Sequence, residues 1–464
     1  MEKEHLFLTS LTRLIPVPRS GDQLGNVTRQ RSELRRWSMA LLYGVLFLTW
    51  VTLRLQPILA SAPFETPDTP GYRLIAERPL SSIHFFVGIR PFTVPLLHKL
   101  ARTNTMIVVW QSILGLLSWG LLASAAASAV RRSWLRVIAC ASILAFSLSE
   151  PIARWDFLLM SESISLSLLA LFVACWLWLS AGWHPRKVLS LLLVAFFWGF
   201  TRDTNAYALA MCAALLILIT FVRRQQPRYL GLATLLLVIF MTVNMTADLS
   251  GRWVFPFLNV IAGQVLPNTE FTTALALRGM PISPTLLRFS GQRAYSEEYG
   301  LYNNPALAGF REWLFADGKR AYIHFLLTHP RWAITAPFHD RDALLGLSQA
   351  DDGFPRSTTR PQQWAGALLY TNRPEAFLGW LAAAVCVACT ALWRGYSTPT
   401  AAWYVPLGLL LFAWPLGMIT WHGDTMDVGR HALQVGVQVR LGILLLILFA
   451  TDRLAGLRPW SRRA

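Results

Sequence analysis

The sequence predicts an all-α polytopic membrane protein with about ten transmembrane helices. Of its 464 residues, 54% are hydrophobic and only 14% are charged, so a soluble fold would have too few polar groups to cover its surface. The apolar residues also come in blocks close to the ~20 residues that cross a bilayer. The basic residues collect in short runs between these blocks, as they do in the loops of membrane proteins.

The apolar blocks define the predicted spans in chain order. They lie at residues 37–55, 105–130, 134–149, 157–181, 188–201, 205–222, 229–247, 376–393, 402–421 and 432–451. The block at 188–201 gives only about 20 Å of helix against a hydrocarbon core of about 30 Å. We therefore expect its outer end, "TRDTN", to be recessed or to lie in a protein-lined cavity, where charged groups are usually functional.

The basic runs predict the orientation. Arg131–Arg132 and Arg186–Lys187 fall on the same side as the N-terminal segment 1–36 if the spans alternate, and the positive-inside rule makes that side cytoplasmic. The predicted location is the plasma (bacterial inner) membrane, with both termini cytoplasmic. The net charge of +17 could suggest a nucleic-acid partner, but no folded domain with a basic stripe is evident, so we expect none.

The spans divide the chain into five parts. These are a cytoplasmic segment 1–36, an N-terminal transmembrane module 37–247 containing the first outer loop 56–104, a long outer loop 248–375, C-terminal transmembrane helices 376–451, and a cytoplasmic tail 452–464.

Acids and arginines collect near the outer helix ends, whereas the inner ends are basic and otherwise bland. The outer groups are Glu65, Asp68, Arg90, Asp156, Glu162, Arg202, Asp203, His422, Asp424, Asp427, Arg430 and His431. This asymmetry predicts a polar cavity that opens outward. Asp427, His431, Gln434 and Gln438 recur at helical spacing and predict one polar stripe on the final helix, facing either the cavity or a neighbouring helix through hydrogen bonds.

Four stretches between residues 40 and 210 resemble successive landmarks of the GT-C glycosyltransferases. They are "PDTPGYRLIAE", "GIRPFTVPLLHKLA", "LLMSESISLSLL" and "GFTRDTNAYALA". That superfamily, which includes protein O-mannosyltransferases and lipid A aminoarabinose transferases, uses polyprenyl-phosphate-linked sugars. Its acid-x-x-x-Tyr pattern is matched by Asp68 and Tyr72, its Arg-Pro by Arg90, and its Ser-Glu by Glu162.

The resemblance implies a membrane enzyme that moves a sugar from a polyprenyl-phosphate donor to a glycan, lipid or protein acceptor by inverting displacement. Asp68 would be the general base, and Arg90 and Arg202 would bind the donor phosphate. Tyr72, Asp203 and the 422–431 segment would line the cleft, beside membrane lipid. Many members pair two adjacent acids where this chain has only Asp68, so the second acid (Glu65, Asp156 or Glu162) and a divalent metal cofactor are left open.

The chemistry itself agrees with this residue set. Transfer from a lipid monophosphate needs a carboxylate to accept the proton of the acceptor hydroxyl and cations to hold the departing phosphate. It needs no nucleotide cradle, and the chain has neither a P-loop nor a dinucleotide fingerprint.

Other interpretations remain open at this level. Asp68 could cap a short helix beginning at Thr69, Arg90 could extend to lipid headgroups, and Arg202 could pair with Asp203. A transporter or flippase would show inverted repeats. A polysaccharide polymerase or O-antigen ligase would place its essential arginines and histidine in the late long loop rather than in residues 65–90. No role is assigned to Arg440 or to the long loop 248–375.

Overall fold

The fold is all-α in the part of the chain that the structure describes. The computed structural model covers residues 20–223, 227–294, 300–348, 353–356, 358–394 and 401–456, and one isolated bridge between Phe64 and Leu158 is the extended pairing found there. Contacts divide the chain into two units, 1–50 and 51–464. The described part of the first unit is helical and carries a ring contact between Phe47 and Trp50.

The first half of the described chain contains eleven helices. They are α1 Ser20–Ala60, α2 Thr69–Ala76, α3 Ile83–Phe86, α4 Thr93–Ala101, α5 Asn104–Ala129, α6 Ser133–Leu148, α7 Glu150–Ala153, α8 Ser161–Ser180, α9 Pro185–Gly199, α10 Asp203–Arg223 and α11 Arg228–Ser250. A 3₁₀ turn, Arg154–Phe157, follows α7.

The described part of the second half begins with short helices and ends with long ones. They are α12 Val254–Val260, α13 Thr269–Ala276, α14 Pro284–Leu287, α15 Gly300–Asn303, α16 Ala308–Trp313, α17 Lys319–Thr328, α18 Pro330–Thr335, α19 Arg341–Leu344, α20 Arg360–Leu369, α21 Pro374–Arg394, α22 Tyr404–Gly423, α23 Val428–His431 and α24 Leu433–Gly456. One-turn π-helices follow α12 (Ile261–Val265) and α16 (Leu314–Gly318), and 3₁₀ turns occur at Pro305–Leu307, Ala336–Asp340 and Ala401–Trp403.

Eight of the described helices are long and apolar enough to cross a membrane, which agrees with the prediction of an all-α polytopic membrane protein. A ninth span results if α6 and the following Glu150–Phe157 segment, bent by 65°, are counted as one. The prediction of about ten spans also included residues 188–201. That segment forms α9, whose 15 residues do not reach the length of a simple crossing.

The two most buried spans are α8 and α24, with 78% and 83% of their apolar windows covered by protein. Polar side chains join them to α10 within the bundle. Ser165 donates to Gln434 Oε1 at 2.9 Å, and Asn205 Nδ2 donates to Ser165 Oγ at 3.0 Å. These two hydrogen bonds hold the three helices in register.

The predicted continuous stripe on the final helix is interrupted. Asp427 adopts a left-handed conformation with φ 51°, a one-turn helix follows it, and α24 begins only at Leu433. Gln434 and Gln438 both lie inside the bundle, and Gln438 donates to the backbone oxygen of Leu409. These two residues therefore join helices, whereas Asp427 lies in the segment between α22 and α23.

Arg440 is buried in the middle of α24 and ties three chain segments together. Its two terminal nitrogens donate to the backbone oxygens of residues 345, 346, 371 and 436. Its guanidinium also lies 4.2 Å from the ring centroid of Tyr370 and 5.1 Å from that of Phe377. Backbone carbonyls and aromatic faces compensate this charge, since no salt bridge to Arg440 is found among the described residues.

The segment that follows α11 is folded. Residues 254–325 contain a hydrophobic core built around Leu258, Phe310, Trp313 and Phe325, each at most 5% exposed. Arg252, at the start of this segment, anchors it to the first residue of α10, because it forms two hydrogen bonds with the Asp203 carboxylate, at 2.9 and 3.0 Å.

Candidate functional site

A backbone bridge fixes the first outer loop against the start of α8. Phe64 N donates to Phe157 O, and Leu159 N donates to Phe64 O, both at 3.0 Å. The Thr69 hydroxyl adds a bond to Leu159 O at 3.1 Å. Because Glu162 follows this stretch by one turn, the bridge brings the Asp68 loop next to Glu162.

A second anchor brings Arg90 towards the outer end of α9. Thr93 donates from its backbone nitrogen to Phe200 O at 3.3 Å and from its hydroxyl to Phe197 O at 2.9 Å. Phe92 packs on Phe200 with ring centroids 4.8 Å apart. Pro91 disfavours helical geometry at the preceding residue, Arg90.

Asp68 lies between two arginines. Arg90 Nη2 donates to Asp68 Oδ1 at 2.6 Å, and Arg430 Nη1 donates to Asp68 Oδ2 at 2.9 Å. Gly71 makes room for this contact, since a Cβ atom there would lie 2.9 Å from Arg90 Nε. Asp68 is the N-cap residue of α2, as the alternative expected, but its side chain makes no capping bond and contacts the arginines instead.

Glu162, in the first turn of α8, extends the cluster into the helix bundle. Its side chain is 1% exposed and lies 3.3 Å from Arg202 Nη1 and 3.6 Å from Arg430 Nη1. Arg430 therefore contacts both Asp68 and Glu162. Asp427 also lies 3.7 Å from Arg430, so three arginines face three carboxylates in this cluster.

The electrostatics of the cluster oppose proton uptake by Asp68. Burial alone would raise its pKa, but Arg90 and Arg430 outweigh burial and hold the pKa at about 2. For Arg430, burial disfavours the charge, while Glu162 and Asp68 outweigh it and raise the pKa above its usual value. In this state Asp68 is ionised and a weak base.

Asp424 and His431 form a second pair beside Arg430. Asp424 Oδ2 lies 3.6 Å from His431 Nδ1, and Arg430 Nη2 lies 3.2 Å from His431 Nε2. Burial, then Arg430, holds the pKa of His431 well below its usual value, so the ring is neutral. An Nε2 atom that accepts from Arg430 puts the ring proton on Nδ1, towards Asp424. Burial raises the pKa of Asp424 to about 6.

The other predicted cleft residues have mixed positions. Tyr72 is buried with Arg90 5.3 Å from its ring centroid, and Asp427 lies 3.7 Å from Arg430 at a more exposed position. Asp203 binds Arg252, which contradicts the alternative in which Arg202 pairs with Asp203.

Three predicted residues contact partners outside the cluster. His422 lies 2.8 Å from Ala333 O and 3.2 Å from the Tyr322 hydroxyl.

Glu65 pairs with Arg73 at a largely exposed position. Asp156 pairs with Arg54 at 2.8 Å, where both side chains are at most 2% exposed. Of the three candidates for a second acid, Glu162 is thus the one that shares an arginine with Asp68.

Sequence reasoning missed two arginines. Arg54 lies inside the first span and Arg252 directly follows α11 in "LSGRW". An arginine within or beside an apolar block needs a partner, and this signal could have identified both.

The described residues contain no group of three or more His, Cys, Asp or Glu side chains placed to hold a metal ion. Comparison of the chain with models of protein families gave no match, and comparison with curated proteins gave no relative. The assignment of a function therefore depends on the geometry and on the motifs.

Proposed function

We propose that this protein is a membrane glycosyltransferase that moves a sugar from a polyprenyl-phosphate carrier to an acceptor at the outer face of the plasma membrane. The observation that carries the proposal is the Asp68 carboxylate held between Arg90 and Arg430. Arg202 and the buried Glu162 continue the same cluster at the ends of the spans. The GT-C-like motifs support it, because they contain four of these five residues.

The cluster contains the groups that the reaction requires. The acceptor oxygen attacks the anomeric carbon of the sugar, and the bond from that carbon to the phosphate oxygen breaks. The acceptor proton passes to Asp68 as general base. Arg90 and Arg202 hold the charge that develops on the departing lipid phosphate.

Donor binding would also activate the base. In the structure Arg90 bonds Asp68, and Arg202 lies 3.3 Å from Glu162. A lipid phosphate that attracts these guanidinium groups weakens their hold on the acids. The pKa of Asp68 then rises from about 2 towards its ordinary value, and its basicity increases where the acceptor needs it.

One observation favours a second candidate, an O-antigen ligase or polymerase type of enzyme. Asp424 and His431 form a pair beside Arg430 in the last outer segment. In such an enzyme His431 would be the base, and Asp68 would only orient Arg430.

The proposal is tested by thermal denaturation of the purified protein in detergent. A ligand that binds only the folded protein raises its melting temperature, so polyprenyl monophosphate should stabilise it and UDP- or GDP-sugars should not compete. Stabilisation by a nucleotide sugar alone would refute the lipid-donor proposal. In a transfer assay, loss of activity in His431→Gln but not in Asp68→Asn would favour the second candidate.

A further inference from the structure

The helices α17 and α18 present a line of exposed apolar side chains. Ile323, Leu327, Ile334 and Phe338 are 56%, 75%, 52% and 47% exposed. Ile323 and Leu327 are one turn apart on α17, and the same spacing separates Ile334 from Phe338 in α18 and the 3₁₀ turn that follows it. Side chains of this size would normally be covered.

The opposite faces of these helices are already occupied. Tyr322 and Phe325 of α17 lie in the hydrophobic core of residues 254–325. Trp332 of α18 packs on Phe271, with ring centroids 4.5 Å apart, and on Trp421 of α22, with centroids 5.8 Å apart. The outer segment therefore fixes the two helices with their apolar line turned outward.

This line of apolar side chains continues onto the exposed face of α22, a membrane span. The ring of Phe338 lies 4.2 Å from that of Trp414 on α22. At 1.5 Å per residue, Trp414 is about 13 Å from the outer end of α22 at Gly423. Leu411 and Leu407, one and two turns further along α22, are also exposed, as lipid-facing residues are.

Two exposed arginines flank the apolar line. Arg320 precedes Ile323 by three positions, and Arg331 precedes Ile334 by three. A short amphipathic helix with apolar side chains on one face and arginines at its edge is the pattern of a segment that lies in the interface of a bilayer. The guanidinium groups then lie at the depth of the phosphates.

We propose that α17 and α18 form a lipid-binding surface in the outer leaflet, in which Ile323, Leu327, Ile334 and Phe338 enter the acyl boundary and Arg320 and Arg331 bind anionic phospholipid headgroups. This surface is independent of sugar transfer. It gives the long outer loop a defined depth, because α18 is also bonded to α22 through Ala333 O and His422.

The test uses the full-length protein without its five native cysteines, carrying one bimane-labelled cysteine in lipid vesicles. The labelled positions are Leu327→Cys and Ile334→Cys, with Glu312→Cys, an exposed position of the same segment, as the control. Nitroxide-bearing phospholipids quench a label in the bilayer, and iodide loaded on both sides quenches a label in water. We expect lipid quenching at 327 and 334 and iodide quenching at 312.

The headgroup preference is measured with nitroxide on phosphatidylglycerol or on phosphatidylcholine at equal mole fraction. The anionic lipid should quench more strongly, because the attraction between one arginine and anionic headgroups raises the local concentration of anionic lipid by about fivefold. Arg320→Gln with Arg331→Gln should abolish that difference and keep the quenching by neutral lipid.

Either of two results overturns the proposal. Iodide quenching at 327 and 334 equal to that at 312 means that the surface faces water. Quenching by neither reagent means that protein covers it. Equal quenching by both lipids in the unsubstituted protein contradicts the anionic preference alone.

Discussion

Arg430 Nη1 donates to Asp68 Oδ2 at 2.9 Å, although 362 positions of sequence separate the two residues. The contact joins the segment between α1 and α2 to the segment between α22 and α24. It also makes Arg430 the shared neighbour of Asp68 and Glu162. The polar groups of the two ends of the chain thus form one cluster, and removal of one member changes the charge balance of the others.

Asp68→Asn should lower sugar transfer by roughly 10²–10⁴-fold, because asparagine keeps the size of the side chain but cannot accept the proton. Donor binding should be at least as tight as in the unsubstituted protein, since Arg90 and Arg430 lose the carboxylate that competes with the phosphate. Turnover and donor-dependent thermal stabilisation measure the two effects separately.

The matched control is Glu65→Gln, which removes an acid of the same loop that pairs with Arg73 at an exposed position. It should leave turnover nearly unchanged. Near-normal turnover in a folded Asp68→Asn protein would reassign the base, with Glu162 as the next candidate.

Arg202→Lys should weaken donor binding by about 1–3 kcal/mol, because lysine keeps the charge and loses the planar pair of donors. Arg202→Ala should weaken binding further. The measurement is the ligand concentration needed for half-maximal thermal stabilisation by polyprenyl phosphate. Arg73→Lys is the control, because Arg73 binds Glu65 outside the cluster, and an equal loss in this variant would remove the special role of Arg202.

Gly71→Ala should lower turnover by roughly 10–100-fold, an effect typical of a small displacement in an active site. The added Cβ would lie 2.9 Å from Arg90 Nε and would push that side chain away from Asp68. The helix itself tolerates alanine better than glycine. Gly231→Ala in α11 is the control, because no atom lies within 4 Å of its Cβ position, and an equal effect there would exclude a local cause.

Asp424→Asn should stabilise the protein above about pH 6. Burial raises the pKa of Asp424 to about 6 from an ordinary 3.8, so ionisation of this group costs the folded state roughly 3 kcal/mol at neutral pH. The folded state binds the proton more tightly than the unfolded one, and stability therefore falls as pH rises from about 4 to 6. Asparagine keeps an oxygen for the bonds from Asn259 Nδ2 and Met426 N.

Melting temperatures of the two proteins between pH 4 and 8 measure this effect. Their difference should be smallest near pH 4, where Asp424 is protonated in the folded state and partly protonated in the unfolded state. A constant difference across this range would mean that the substitution acts through packing. Asp427→Asn, at a position that is 33% exposed, is the control and should show a smaller difference.

The fold class could be predicted from the sequence, and so could the collection of acids and arginines near the ends of the helices. Both depend on span length and charge placement, which are properties of local composition. Which acid pairs with which arginine could not be predicted from the sequence. Asp203 follows Arg202 directly, yet it binds Arg252 across 49 positions. Adjacent residues at the start of a helix point in different directions, so the pairing depends on which helices pack together.

The burial of Asp156 could not be predicted from the sequence either. Its place between two apolar blocks suggested an outer turn, but the bend between α6 and α7 buries it against Arg54. The tertiary contact, not the local sequence, decides which of three acids joins Asp68.

The Arg440 side chain has a consequence for how the protein enters the membrane during synthesis. An arginine at the centre of an inserting helix costs about 2.5–3.5 kcal/mol. Three of the four carbonyls that bond Arg440 belong to residues 345, 346 and 371, which are made before α24. The last span therefore inserts most favourably when these earlier segments have already folded at the translocation site, and α24 supplied as a separate fragment should insert poorly.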